Sequence, residues 1–395
     1  MKVLIPVFGS RGDIQIYVNL AVKLVESGHF VTIATHPFWR QTIESLGLAF
    51  MPLGPNINVD AEAARFRKSY NVLSVLKLLN SLHLSSSAFV SKYLDDFDLL
   101  IVSHMLCGAM EAIKANKPFI NVTFLPSMIP IHDTIFRQIP KSLLFALYFN
   151  LGPWGKIKRK LGVKHINNFN QLISSDLNLI PISRYILPQA KNWKANCIIT
   201  GFWPLPTTGQ ELPEEILAFL EKHHNPIIVT FGAMAFDSGF EIEKVNVIIQ
   251  AIQKSGNSGI IQGFDNTIGK LRLPESIIHI GSFPSSFFNY GKIIIHHCGF
   301  GTMTTGLFSG KPCIPIPHIL DQTFWAARLY ELGLCPKPIP IKKMTEQRLV
   351  YSIRICETSE KINSNSRRVM EMLKEEKGLE NALFHIENFS RDHGI

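Results

Sequence analysis

The sequence predicts an α/β protein made of two Rossmann-like, doubly wound parallel-sheet domains that face one another across a cleft. Three observations carry this. Short β-branched runs alternate with segments of helical periodicity, the pattern of strand–helix–strand units with right-handed crossovers. The alternation breaks at Gly201-Phe202-Trp203-Pro204-Leu205-Pro206-Thr207-Thr208-Gly209, where turn-forming residues crowd together, and then restarts. The length of 395 residues exceeds what one hydrophobic core accommodates and suits two domains of roughly 200 residues.

In the first half, Lys2–Phe8, Val31–Ala34, Leu99–Ser103 and Phe119–Val122 read as buried strands, being short, apolar and punctuated by polar or Gly/Pro residues. Helices are expected at Ile14–Glu26 and Met105–Ala115, where apolar residues recur at i, i+3 and i+4. In the second half, Pro226–Phe231, Gly259–Gln262, Ile277–Ile280, Lys292–His296 and Pro312–Ile316 are strand-like. Helical stretches at Glu241–Lys254, Thr302–Ser309 and Phe324–Leu332 separate them, and the chain from Thr345 onward is helical and amphipathic. Ligands of such sheets bind at the carboxyl ends of the strands.

Composition narrows the function. Apolar residues form 46% of the chain and charged residues 18%, which predicts a folded protein throughout. The six cysteines are scattered without a C-x-x-C pair, so neither a zinc ribbon nor a thioredoxin-type site is expected. The apolar run at the start breaks at Gly9, too early for a signal peptide, and no stretch is long enough to span a bilayer; a cytoplasmic location is the expectation. The net charge of +9 is dispersed, with no basic helix interleaved with aromatics, which argues against nucleic acid and for an anionic small ligand or membrane surface.

The most informative run is Ile293-Ile294-Ile295-His296-His297-Cys298-Gly299-Phe300-Gly301-Thr302-Met303-Thr304-Thr305-Gly306. An apolar strand ends at two histidines, glycines two residues apart follow, and hydroxyl residues open a helix. Glycines admit a ligand close to the backbone, and the first helical N–H groups favour an anion. Thr302 and Thr304 stand where hydroxyls can add hydrogen bonds to phosphate oxygens. The mechanism is that of a pyrophosphate cradle, of neither the Walker nor the dinucleotide type. A tight turn with ordinary capping explains the glycines equally well on their own. The next strand, however, leads into Asp321-Gln322, a carboxylate beside a carboxamide, suited to grip vicinal sugar hydroxyls at the same sheet edge.

From His296 to Gly333 the chain resembles the donor-binding motif of the GT-B nucleotide-sugar glycosyltransferases, in the branch of sterol glucosyltransferases and bacterial antibiotic glycosyltransferases. That branch reads His-His-Gly-Gly-Ala-Gly-Thr, then Gly-Val-Pro, then Asp-Gln-x-x-Trp. Here the residues are His296-His297-Cys298-Gly299-Phe300-Gly301-Thr302, Gly310-Lys311-Pro312 and Asp321-Gln322-Thr323-Phe324-Trp325. Cys298 and Phe300 depart from it toward the plant branch's His-Cys-Gly-Trp. The resemblance implies that His297 contacts a phosphate, that Gly299, Phe300, Gly301 and Thr302 wrap the pyrophosphate, and that Asp321 and Gln322 bind the sugar. It implies base and ribose contacts from Phe283 and Ser285. The ribose-holding glutamate of the plant branch falls at Thr305, which leaves uridine and deoxythymidine both open. Thr230-Phe231-Gly232-Ala233-Met234 matches a loop over the phosphates, with Gly232 supplying backbone donors.

Phe8-Gly9-Ser10-Arg11-Gly12-Asp13-Ile14-Gln15 joins the first strand to the first helix. Read alone, Asp13 is a helix N-cap. The same run in the resembled family presents its aspartate as general base, with Ser10, Arg11 and Gly12 forming an acceptor loop. One base and no second, nucleophilic carboxylate imply single displacement with inversion. The implied domains are 1–200 for the acceptor, a linker at 201–213, 214–375 for the donor, and a helix at 376–395 packing back on the first. The donor is a UDP- or TDP-sugar, UDP-glucose foremost, and the acceptor a small apolar molecule. No cofactor and no metal are expected, Asp96-Phe97-Asp98 being read as a solvated turn. The basic end of Arg137–Lys160 leaves room for peripheral membrane contact. Two rivals remain, a nucleotide-sugar epimerase of the same fold and a non-catalytic lipid-binding relative.

Overall fold

The computed structural model describes residues 1–58, 72–126, 128–129, 149–189, 193–204, 211–232, 239–281 and 285–395. They form two compact units. One holds the described residues up to Trp203 together with Lys377–Ile395, and the other holds those of Pro204–Glu376.

The first unit carries β1 (Lys2–Pro6), α1 (Arg11–Glu26), β2 (Phe30–Thr35), α2 (Arg40–Glu44), β3 (Ala49–Pro52), α3 (Val72–Tyr93), β4 (Leu99–Val102), α4 (Ala109–Ala115), β5 (Phe119–Val122), α5 (Pro153–Leu161), β6 (Asn178–Ile180) and β7 (Cys197–Ile199). Its seven strands run in the order β3-β2-β1-β4-β5-β6-β7, and every pairing is parallel. A parallel sheet covered on both faces needs strands apolar on both sides, and β4 (Leu-Leu-Ile-Val) is buried at every residue.

The second unit carries α6 (Glu214–Lys222), β8 (Ile227–Thr230), α7 (Gly239–Lys254), β9 (Gly259–Gln262), α8 (Asp265–Ile268), β10 (Ile277–Ile280), β11 (Ile293–His296), α9 (Phe300–Phe308), β12 (Cys313–Pro315), α10 (Leu320–Glu331), α11 (Glu346–Thr358) and α12 (Glu360–Glu375). Its five strands are ordered β10-β9-β8-β11-β12, again all parallel. Ile227, Val229, Ile293, Ile295 and Ile314 from β8, β11 and the edge strand β12 lie in one buried cluster with Val245 and Ile248 of α7. Each such side chain contributes about 1.5–3 kcal/mol by leaving water.

Both sheets therefore read 3-2-1-4 from one edge. The chain order reverses between β1 and β4 in the first and between β8 and β11 in the second, and the loops leaving those strands open a crevice at each reversal.

The closing helix α13 (Gly378–Asp392) belongs to the first unit. Lys23 of α1 pairs with Glu380 at 3.0 Å, and Asn381 donates to the Thr200 carbonyl at 2.9 Å. A Cβ on Gly378 would stand 2.0 Å from the Phe202 carbonyl oxygen, so only glycine allows that approach. Residues 205–210 of the expected linker lie outside the described residues.

The strands expected from sequence are found within a residue or two of their ends. The short β3, β6 and β7 are additions. The helix expected from Met105 begins only at Ala109, because Leu106 (φ 57°) and Gly108 (φ 87°) take left-handed backbone conformations. Asp98 accepts a hydrogen bond from the Lys2 backbone N–H at 2.6 Å, which ties Asp96-Phe97-Asp98 to the start of β1, the opposite end from the loop that holds Asp13. All six cysteines are free and buried.

Candidate functional site

The first cluster lies at the β1/β4 reversal. The chain leaves β1 through Gly9, whose φ of 146° and whose neighbours both demand glycine: a Cβ there would stand 2.6 Å from Asp13 Oδ2 and from Asp13 Cβ. Ser10, not Asp13, is the N-cap of α1. Asp13 is the third residue of the helix and completes a capping box, its Oδ2 accepting from the Ser10 backbone N–H and from Ser10 Oγ, each at 2.8 Å. The N-cap reading of Asp13 is thus corrected by three positions, from the cap itself to the third helical residue. Arg11 and Gly12 form the exposed first turn of α1, and a Cβ on Gly12 would meet only Ser10 Oγ, at 3.9 Å.

A residue missed in the sequence completes this cluster. His104, two positions beyond β4, brings Nε2 to 3.6 Å from Asp13 Oδ1. Its Nδ1 lies 2.9 Å from Tyr17 Oη, and its backbone N–H donates to the same oxygen at 2.8 Å. The Tyr17 hydroxyl also lies 3.0 Å from the Val122 carbonyl oxygen. Burial alone raises the Asp13 carboxyl, but the neighbouring His104 and the Ser10 hydrogen bonds more than offset this and hold it below the ordinary aspartate value. The Asp13 side chain keeps 34% of its surface exposed, whereas that of His104 keeps 2%. The signal for His104 was present, since a histidine follows an apolar strand there just as His296 ends β11.

The second cluster lies at the β8/β11 reversal. Its two histidines divide the work. His296 Nδ1 accepts from the Cys298 backbone N–H at 3.0 Å and fixes the turn in which Cys298 sits at φ 63°. That conformation explains the glycine of the resembled motif, and it costs a non-glycine residue on the order of 1–2 kcal/mol. His297 folds over Gly299, where a Cβ would stand 2.3 Å from its Nε2. Gly232, at φ 50° after β8, reaches the same ring: a Cβ there would lie 3.2 Å from His297 Cε1 and 3.9 Å from Thr302 Oγ1. Gly232, His297, Gly299 and Thr302 therefore converge at the mouth of α9. Gly299 is its N-cap and has no side chain to satisfy the N–H groups of the first turn.

Other expected residues take more particular places. The Phe300 ring is buried against Trp325, 5.6 Å between centroids, so only its backbone is available at the turn. Thr304 and Thr305 donate their hydroxyl hydrogens to the carbonyls of Phe300 and Gly301, at 2.9 and 3.0 Å. Asp321 is half-buried in the first turn of α10. Gln322 is buried, and its Oε1 accepts from the backbone N–H groups of His318 (2.9 Å) and Ile319 (3.3 Å), so it caps α10 and leaves its amide hydrogens for other partners. Ser285 opens a short 3-10 turn over Ser285–Tyr290. Phe283, Ala233 and Met234 lie outside the described residues.

Residues 3–99 match the glycosyltransferase family 28 N-terminal domain. Across 98% of its length the chain is 27% identical to a sterol 3-beta-glucosyltransferase of Arabidopsis thaliana, covering 68% of that protein. It is 24% identical to the O-mycaminosyltylonolide 6-deoxyallosyltransferase of Streptomyces fradiae, over 99% of this chain and 98% of that one. The chain has the GT-B fold and is similar to glycosyltransferases over nearly its whole length. The glycosyltransferase VinC, solved in complex with DTDP, superposes on 99% of this GT-B chain with a TM-score of 0.69 at 18% identity, its own chain covered in full at 100%. No helix among the described residues is long and apolar enough to cross a membrane. Among the same residues no group of three or more His, Cys, Asp or Glu side chains is arranged to hold a metal ion.

Proposed function

We propose that the protein transfers a hexose from a UDP- or TDP-sugar, UDP-glucose foremost, to a hydroxyl of a small apolar acceptor, with inversion at the anomeric carbon. The observation that carries this is the pinned yet accessible Asp13 carboxylate, held below the ordinary aspartate value and one-third exposed at a strand-end crevice. In this mechanism the acceptor oxygen forms its bond to the anomeric carbon and gives its proton to Asp13. The bond from that carbon to the diphosphate breaks, and the electron pair leaves with the diphosphate. The open N-terminus of α9, with His297 and Thr302 beside it, receives the growing negative charge. Charge neutralisation by these groups is the basis for proposing that no metal is needed. Asp321 holds sugar hydroxyls, and Gln322 shapes the turn that presents it. The names of the sterol and macrolide relatives support a sterol or natural-product acceptor. Leu151, exposed just before α5 in the chain, and the exposed Lys156, Arg159 and Lys160 on that helix support contact with an anionic lipid surface that presents such an acceptor.

The test is incubation with UDP-glucose, alone and with sterol and polyketide acceptors, with the product anomer read by NMR. Transfer with inversion is expected only with an acceptor. Epimerised donor without acceptor supports the epimerase, and no consumption supports a binder. Asp13→Asn keeps a side-chain acceptor for the Ser10 N–H and removes the base, so turnover should fall about 10²-fold or more while the chain still folds and binds UDP. Wild-type turnover in that variant refutes Asp13 as base.

A further inference from the structure

We propose that His104 is the positioning residue of Asp13: braced by Tyr17, it presents an N–H to the oxygen that Ser10 leaves free and fixes the carboxylate in rotation. This rests on the reading of Asp13 as general base.

Counting hydrogens on Tyr17 leads to it. A hydroxyl has one hydrogen and two acceptor positions. One acceptor position is taken by the His104 backbone N–H, at 2.8 Å. If the hydroxyl hydrogen goes to His104 Nδ1, the neutral ring must carry its own hydrogen on Nε2. If it goes to the Val122 carbonyl, Nδ1 must donate to the Tyr17 oxygen. Nε2 then has to be protonated as well, because otherwise a bare lone pair would face an ionised carboxylate oxygen at 3.6 Å. In both arrangements an N–H on Nε2 points at Asp13 Oδ1. Tyr17 keeps its hydrogen throughout, since burial pushes its ionisation well above the usual value.

The carboxylate is thereby held at both ends, Oδ2 by Ser10 and Oδ1 by His104. Two loops on neighbouring strands are tied together through one catalytic group, and the tie spans the chain reversal of the sheet. His104 is not itself the proton acceptor. Its side chain is 2% exposed and its two ring nitrogens face Tyr17 and Asp13, while Asp13 meets solvent. The separation of 3.6 Å lies within ion-pair range, and catalytic contacts of ligand-free enzymes commonly tighten only once substrate is bound.

The groups facing Asp13 make a pH profile diagnostic. From its own helix come Ser10 and Tyr17, from the loop after β4 comes His104, and Arg11 lies exposed in the adjoining turn. Cys107, near Tyr17, is kept neutral, burial pushing its thiol up to about 12. Removing His104 takes away a neighbour that favours the ionised carboxylate, so the Asp13 value rises and activity on the acid side is lost at a higher pH.

The experiment compares kcat, KM and the pH profile of kcat/KM in wild type, His104→Leu, His104→Gln, Tyr17→Phe and Asp13→Asn, with UDP affinity and melting temperature on each preparation. In His104→Leu, kcat should fall about tenfold with donor KM unchanged, and the acid limb should move up by on the order of 1 unit. His104→Gln, which restores an N–H but no charge, should recover most of kcat while its acid limb stays displaced. Tyr17→Phe should move both in the same direction by less. An acid limb that stays in place in both His104 variants, with wild-type kcat in His104→Gln and His104→Leu, overturns the inference while Asp13→Asn remains inactive. Wild-type turnover in Asp13→Asn brings down the base reading and this inference with it.

Discussion

Gly9→Ala should disable the protein at Asp13 without touching Asp13. The backbone at Gly9 has φ 146°, a region that residues with a Cβ rarely adopt, and forcing alanine there costs on the order of 1–3 kcal/mol. The new methyl would stand 2.6 Å from Asp13 Oδ2 and 2.8 Å from Cγ, so the carboxylate has to move. Moving it breaks the two 2.8 Å hydrogen bonds from Ser10, and the loss of a charged hydrogen bond costs about 1.5–3 kcal/mol. Together these give a loss of about 2.5–6 kcal/mol, which in a unit of this size lowers the melting temperature by roughly 5–24 °C. Turnover should fall at least as far as in Asp13→Asn. Affinity for free UDP, measured by calorimetry, should stay at the wild-type value because the cluster at α9 belongs to the other unit. Gly12→Ala is the control, since a Cβ there meets nothing closer than Ser10 Oγ at 3.9 Å, and its melting temperature should change little. A Gly9→Ala protein with wild-type melting temperature and turnover would refute the capping-box geometry on which the base reading stands.

Gly299→Ala should weaken UDP binding tenfold or more, because its methyl would stand 2.3 Å from His297 Nε2; unchanged affinity would remove His297 and Gly299 from the donor site. Asp321→Ala should reduce sugar transfer far more than binding of free UDP, whereas Gln322→Ala should also lower the melting temperature, since it uncaps the turn at His318 and Ile319. Identical behaviour of the two variants would contradict that division. Asp13 is depressed in the folded state, so the stability it adds is present above the 3.8 of an ordinary aspartate and is lost as pH falls through its lower folded value. The stability gap between wild type and Asp13→Asn should therefore narrow below about pH 4, and a gap that stays constant in acid denaturant titrations would refute the shift.

The sequence displays the strands that are buried on both faces, because parallel sheets demand apolar runs there, and Ile293-Ile294-Ile295 is unmistakable. It conceals β6 and β7, whose three residues each are too few to show any periodicity. Helix starts are legible where composition signals them, and illegible where a backbone conformation delays them, as at Leu106 and Gly108. The turn before α9 is visible because its glycines are required locally, by His297 against Gly299 and by Gly232. The Asp13–His104 pairing is not visible, because 91 residues separate its members and only the order of β1 and β4 in the sheet joins them. Gln322 shows the converse: its type suited sugar binding, and its position makes it first a cap.

The two units also show how one topology serves opposite charges. Each places a helix N-terminus at the crevice beside its first strand, and such an end attracts an anion. In α1 that attraction is satisfied from within, since Asp13 turns its carboxylate back onto Ser10 and supplies the anion itself. A free phosphate has little to gain there, and what the end offers instead is a carboxylate held below the ordinary aspartate value. In α9 the N-cap is Gly299, the first turn holds no acidic residue, and the nearby hydroxyl of Thr302 and ring of His297 stand beside N–H groups that no side chain of the cap fills. That end is left for a ligand's charge. On the proposed reading a base and a diphosphate site arise from the same 3-2-1-4 strand order, and the difference lies at the cap and the third helical position, Ser10 and Asp13 in α1 against Gly299 and Thr302 in α9.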